Sequence, residues 1–206
     1  LGTVLLRQNR LDEADACFYT ALELNPQFDP AFFGRGEVAK KKGNLIDAQR
    51  LYVAAIQLNS GDSAYRYVYA QALLQSGKIK EGKQELQKAR RLKAEYHLQH
   101  AHRLAQQKDW QETLRYLKLA VDADPTFVEA AQDLAYLQTQ LDDLAAAEST
   151  LSLGLLNKPD WAPGYWQRGK VKEKISDFGG AESDFRQAIK LSPDAAPPKI
   201  SLAKFL

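Results

Sequence analysis

Seven small residues recur along the chain at Gly2, Gly36, Ala70, Ala101, Ala135, Gly169 and Ala203, spaced 34, 34, 31, 34, 34 and 34 residues apart. A fixed period of this length marks a stacked array, because each unit is one supersecondary element that buries its apolar face only against its neighbours. Three further columns keep the same step. Small residues stand at Ala14, Ala48, Gly82, Thr113, Ala147 and Ala181, large ones at Phe18, Tyr52, Leu86, Leu117, Leu151 and Phe185, and small ones again at Ala21, Ala55, Ala89, Ala120, Gly154 and Ala188. All the columns slip together by three residues between Ala89 and Ala101, as a single three-residue deletion would produce, so the register is confirmed independently on either side.

Apolar residues around the columns follow a helical period, as in Ala48, Leu51, Tyr52, Ala55 and Ile56. The pattern predicts helices over 11–24, 30–42, 45–58, 62–76, 79–92, 95–107, 110–123, 127–141, 144–155, 162–176 and 178–191. Gly43-Asn44 and Gly77-Lys78 supply a residue that tolerates the left-handed conformation ending a helix. Asn9-Arg10, Lys108-Asp109, Asp142-Asp143 and Ser176-Asp177 are weaker versions of the same turn. Between hairpins, Asn25-Pro26, Asp124-Pro125, Lys158-Pro159 and Ser192-Pro193 end one unit and steer the chain into the next, since proline disfavours helix in the residue before it. The junction from Ala89 to Leu98 has neither glycine nor proline, so either its turn is unusually tight or two helices partly merge, with a local irregularity in the superhelix.

In a one-dimensional stack, length counts repeats and not separate cores, so the 206 residues are expected to form one elongated domain. The 28 basic and 26 acidic residues leave a net charge of +2, too little to attract a polyanion, which argues against a nucleic-acid partner. No apolar run approaches the roughly 18 residues of a spanning helix, and no leader pattern opens the chain. The single cysteine, Cys17, reads as a structural thiol beside the large column, and its solitude leaves cytoplasm and periplasm both open. The chain lacks methionine, opens inside a helical pattern and closes with Ala203 still in register, so it reads as a segment of a longer array.

These columns resemble the tetratricopeptide repeat, most clearly at Gly36, Ala48, Tyr52 and Ala55, and at Tyr165, Gly169, Ala181, Phe185, Ala188 and Pro193. The resemblance covers essentially the whole chain, and it specifies packing without specifying chemistry. It implies an all-α, right-handed superhelical solenoid of helical hairpins. A partial first repeat falls at 1–26, full repeats at 29–60, 63–93, 94–125, 128–159 and 162–193, and a partial last repeat at 196–206. Thr113, Gly82, Gly154 and Ser60 depart from the usual residues and weaken individual repeats.

Relatives of this kind are scaffolds that hold a peptide or partner domain in a concave groove lined by the first helix of each hairpin. The resemblance places one groove ladder at Phe33, Tyr67, Leu98, Gln132 and Trp166, and a second at Glu37, Gln71, His102, Tyr136 and Lys170. Phe33, Tyr67 and Leu98 are suited equally to binding and to packing between neighbouring helices, whereas Tyr136 and Trp166, beside Gln132, Gln167 and Lys170, favour binding on a partly solvated surface. The two-carboxylate clamp by which some relatives grip chaperone tails needs cations where this chain has Phe33, Glu37, Val68, Glu95 and Gln99, and the next registers along supply none of the required set.

His97, His100 and His102 crowd one stretch of helix, but with no cysteine or second cluster the reading is packing for His100 and groove exposure for His102, without a metal. Asp12-Glu13 and Asp142-Asp143 read as helix-start charges, and Lys40-Lys41-Lys42 and the basic run from Lys88 to Lys93 as solvated faces. No nucleophile motif is present, so no catalytic residue and no cofactor is expected. The expected function is a non-enzymatic protein-interaction scaffold. The alternative is a targeting or assembly module of a larger protein, such as a glycosyltransferase or a bacterial envelope polysaccharide-export component, and self-association is a third possibility.

Overall fold

The computed structural model describes residues 1–205, so Leu206, the end of the partial last repeat, lies outside the described residues. Among those described, the chain is all-α. Its helices are α1 (Gly2–Arg7), α2 (Leu11–Leu24), α3 (Asp29–Lys41), α4 (Leu45–Leu58), α5 (Ser63–Gln75), α6 (Ile79–Gln106), α7 (Trp110–Ala123), α8 (Val128–Gln140), α9 (Leu144–Asn157), α10 (Ala162–Lys174), α11 (Phe178–Leu191) and α12 (Ala196–Leu202).

Every hairpin turn uses one device. Asn9, Gly43, Gly77, Lys108, Asp142 and Ser176 adopt φ of 61°, 80°, 81°, 60°, 61° and 65°. The amide of the next residue then reaches back five positions, Arg10 to Leu5, Asn44 to Ala39, Lys78 to Leu73, Asp109 to Leu104, Asp143 to Gln138 and Asp177 to Lys172, at 2.9–3.1 Å. These bonds satisfy carbonyls that the helix end would otherwise orphan. Four of the residues donating those amides also open the following helix: the side chains of Asn44, Asp109, Asp143 and Asp177 accept from the amides of Asp47, Glu112, Ala146 and Gly180. Between hairpins the residue before proline is extended as expected, with φ of −142° at Asn25, −143° at Asp124, −139° at Lys158 and −140° at Ser192. Asn59 takes the same conformation, φ −135°, in front of Ser60, so proline reinforces this exit without being required for it.

One junction departs from the rest. The segments expected at 79–92 and 95–107 are a single 28-residue helix, α6, so the two helices merge completely and no turn forms. The cause is local: the deletion removed the residues that would have formed an extended linker, and Arg90 to Leu98 contains nothing that interrupts helical hydrogen bonding.

The first column is small because of what faces it. A Cβ on Gly36 would lie 2.5 Å from Cε1 of Tyr52, one on Gly169 2.6 Å from Cε1 of Phe185, and one on Gly2 2.8 Å from Cε1 of Phe18. Where the large column carries leucine instead, at Leu86, Leu117 and Leu151, the small column carries Ala70, Ala101 and Ala135. Ring against glycine and leucine against alanine fill the same space inside each hairpin. Ala203 departs from its column, being exposed in a 3-10 turn.

The chain divides into two compact units, residues 1–92 and 93–206. In the first, Leu5, Ala14, Phe18, Ala31 and Val38 form one apolar cluster, with half-buried Cys17 packed against it, and Ala48, Tyr52 and Ala72 form another. Polar pins cross between its helices: Arg66 pairs with Glu85 at 3.1 Å, and the buried Gln49 amide donates to the Ala72 carbonyl and the Ser76 hydroxyl. The second unit has a larger core running from Ala94 and Ala101 through Leu117, Leu134, Leu151 and Trp161 to Val171. There the buried carboxylate of Asp184 on α11 receives Arg168 from α10 in two-pronged fashion, at 2.7 and 2.8 Å, and Lys172 at 3.1 Å. The paired carboxylate holds the Arg168 guanidinium above its already high range.

Candidate binding cleft

Six expected groove residues fall in the second unit, and four of them converge. Gln132 and Tyr136 on α8 and Trp166 and Lys170 on α10 line one cleft of about 410 Å³, together with Asp133, Thr139, Gln140, Pro163, Gln167, Val171 and Lys174. Positions 132 and 136, like 166 and 170, are one turn apart on a single helix face, so the 34-residue period places matching faces on α8 and α10. Tyr136 is 60% exposed. Trp166 is half-buried, its indole Nε1 donating to Ser201 Oγ at 3.2 Å, while the Lys170 ammonium lies 4.7 Å over its ring. Gln167 Nε2 donates to the Gln132 carbonyl at 3.2 Å, tying α10 to α8 across the cleft wall.

The other two do not reach that cleft's lining. Leu98 packs against the apolar core, and exposed His102 pairs through Nε2 with Asp133 at 2.7 Å. Thr139, Gln140 and Lys174 were not read from the sequence as groove residues. The signal was available, since each lies three or four positions beyond a member of the second ladder and therefore on the same face.

In the first unit, Phe33 is taken up in packing, stacked on Tyr65 at 4.6 Å between ring centres and tilted against Tyr52 at 5.7 Å. Glu37 accepts a short hydrogen bond from the Tyr52 hydroxyl and lies 3.5 Å from Lys40. Burial, reinforced by Glu37, pushes the Tyr52 phenol well above its usual range and keeps it a donor. Gln71 is half-buried, and Tyr67 is 47% exposed on α5.

The histidines separate into two environments. His97 and His100 lie against Tyr96 and Tyr116, with His100 stacked on Tyr116 at 5.3 Å and Arg115 4.5 Å over that ring. Nδ1 of His97 is buried without a hydrogen-bond partner, and burial, with Lys93, His100 and Arg115 nearby, holds this imidazole below the usual histidine range. Among the described residues no group of three or more His, Cys, Asp or Glu side chains is placed to hold a metal ion, and no helix is long and apolar enough to cross a membrane.

Helical hairpins joined by one turn type, with a cleft between the first helices of two of them, define a helical-repeat protein. Tetratricopeptide repeat models match residues 39–102 and 104–168, and a second such model matches 1–28 and 162–195. The chain belongs to the tetratricopeptide repeat family. No curated protein matches it.

Among solved structures it is similar to the first repeat domain of Spaghetti (RPAP3) bound to the HSP90 peptide SRMEEVD, at 21% identity and a TM-score of 0.52, over 55% of this chain and 90% of that one. It is also similar to YrrB, described as having an unusual peptide-binding site, at 20% identity and a TM-score of 0.50, over 92% of this chain and 98% of that one. A chain of the APC/C hetero-tetramer Cut9-Hcn1 matches at 20% identity and a TM-score of 0.51, over 100% of this chain and 41% of that one. At these identities the likeness is one of fold.

Proposed function

We propose that this protein is a non-enzymatic scaffold that binds a partner peptide in the α8–α10 cleft of its second unit. The observation that carries the reading is the convergence of Tyr136 and Trp166 on one open cleft whose walls are already tied together by the Gln167 bond. Aromatic side chains of this kind contribute large contact area at little ordering cost, and a preformed wall lowers that cost further. Two similar folds are described as binding peptides, which makes a peptide the natural class of ligand. Leu98 supports this cleft from the core, His102 engages Asp133 at its edge, and exposed Tyr67, with Gln71 on the same helix face, is a separate contact candidate in the first unit.

The test is affinity capture from the native source with the wild-type chain and a Tyr136→Ala, Trp166→Ala variant of unchanged helicity. A partner kept by the former and lost by the latter supports the cleft. Equal retention by both moves the interface elsewhere.

A further inference from the structure

Two of the four cations on the cleft helices, all four on α10, are spoken for. Arg168 and Lys172 pair with Asp184, and Lys204 pairs with Glu173 at 3.0 Å. Lys170 and Lys174 are the exceptions: both line the cleft, and neither is paired with a carboxylate among the described residues. The facing wall does not neutralise them. Gln132, Tyr136, Thr139 and Gln140 are uncharged, and the one acidic residue of the lining, Asp133, which accepts from His102, sets a single carboxylate against the two ammonium groups. The cleft therefore carries a local positive potential on a protein whose net charge is only +2.

The spacing adds a second constraint. Trp166, Lys170 and Lys174 stand at successive steps of four along α10, about 6 Å apart for each step at 1.5 Å per residue. In an extended peptide, side chains on one face recur every second residue, about 6.7 Å apart. The two strides nearly match, so an extended segment lying along α10 sets alternate side chains against the indole, the first ammonium and the second.

We infer that the cleft receives an extended acidic segment of a partner protein, with an apolar side chain against Trp166 and Tyr136 and carboxylates two and four residues further on against Lys170 and Lys174. This rests on the scaffold reading above and supplies the chemistry of its ligand. It differs from a two-carboxylate clamp on a chain end spread over three repeats, whose positions here include Phe33, Val68 and Gln99. Both carboxylates are internal side chains, read by one helix of one hairpin.

The test is fluorescence anisotropy with two labelled probes, a peptide containing Phe-Ser-Glu-Ser-Glu between Gly-Ser flanks and its Phe-Ser-Gln-Ser-Gln counterpart. The acidic probe is expected to bind about tenfold more tightly at low ionic strength, with the advantage falling as salt is raised. A Lys170→Gln, Lys174→Gln variant, with helicity checked by circular dichroism, should bind the two probes alike. Equal binding of both probes to wild type, or an unchanged preference in the variant, overturns the acidic reading. In either case, loss of both probes in the Tyr136→Ala, Trp166→Ala variant keeps the peptide cleft intact. Failure of both probes to bind wild type overturns the inference outright and leaves the scaffold reading to the capture experiment.

Discussion

At Gly36 the absence of a side chain is a packing requirement. Alanine is the better helix former by about 1 kcal/mol. Its methyl, however, would overlap the ring of Tyr52, which is fully buried and anchored through its hydroxyl to Glu37. Gly36→Ala should therefore destabilise the protein by about 1–3 kcal/mol in urea denaturation. Adding Tyr52→Leu recreates the alanine–leucine pairing seen elsewhere, so the double variant should be more stable than the sum of the singles by about 1 kcal/mol. Strict additivity would show that the two positions do not share space. Ser176 presents the opposite case, a side chain at φ 65° where none is needed. Ser176→Gly relieves that strain against a larger unfolded-state entropy, for a net gain of about 0.5 kcal/mol by thermal or urea unfolding.

At the scale of the elements, polar pins hold helix against helix. Asp184→Ala leaves Arg168 and Lys172 without their shared carboxylate at a buried site, a loss of about 3–5 kcal/mol, whereas Glu182→Ala in the exposed pair with Arg186 should stay within about 0.5 kcal/mol. The α6–α7 contact carries a pH dependence. His97 faces Tyr96, His100, Tyr116, Lys93 and Arg115, and its folded pKa lies below the reference value of 6.5, so the unfolded chain takes up the proton more readily. Its contribution is full above that reference value and is lost as pH falls through the folded value. His97→Phe should therefore lower the dependence of Tm on pH between about 7.5 and 5.5. An unchanged slope would assign the acid sensitivity to other groups. Hairpin turns and most helix ends were legible because a left-handed residue followed by a cap leaves a local sequence signature. The fate of Ala89 to Leu98 was not legible, since those residues fit a helix and a tight turn equally well.

For the whole molecule, a repeat chain distributes stability among neighbouring hairpins. Asp184→Ala should accordingly speed amide hydrogen exchange in α10 and α11 while leaving α2 to α4 unchanged, and uniform loosening would indicate one cooperative block. The candidate cleft was partly legible. The resemblance named Gln132, Tyr136, Trp166 and Lys170, and they come together because side chains one turn apart share a face. Which aromatics stay open depends on partners that the period does not encode: Tyr65 and Tyr52 close over Phe33, while among the described residues nothing comparable covers Tyr136.

The matched volumes of Gly2 with Phe18, Gly36 with Tyr52 and Gly169 with Phe185 also define what can be exchanged between repeats. A first helix transplanted alone from a leucine-bearing unit would bring alanine against a ring, and the reverse graft would leave a void. Moved with its own second helix, it carries its complement along. The heritable module of this architecture is therefore the hairpin, and recombination or design that cuts at the left-handed turn separates residues that must travel together.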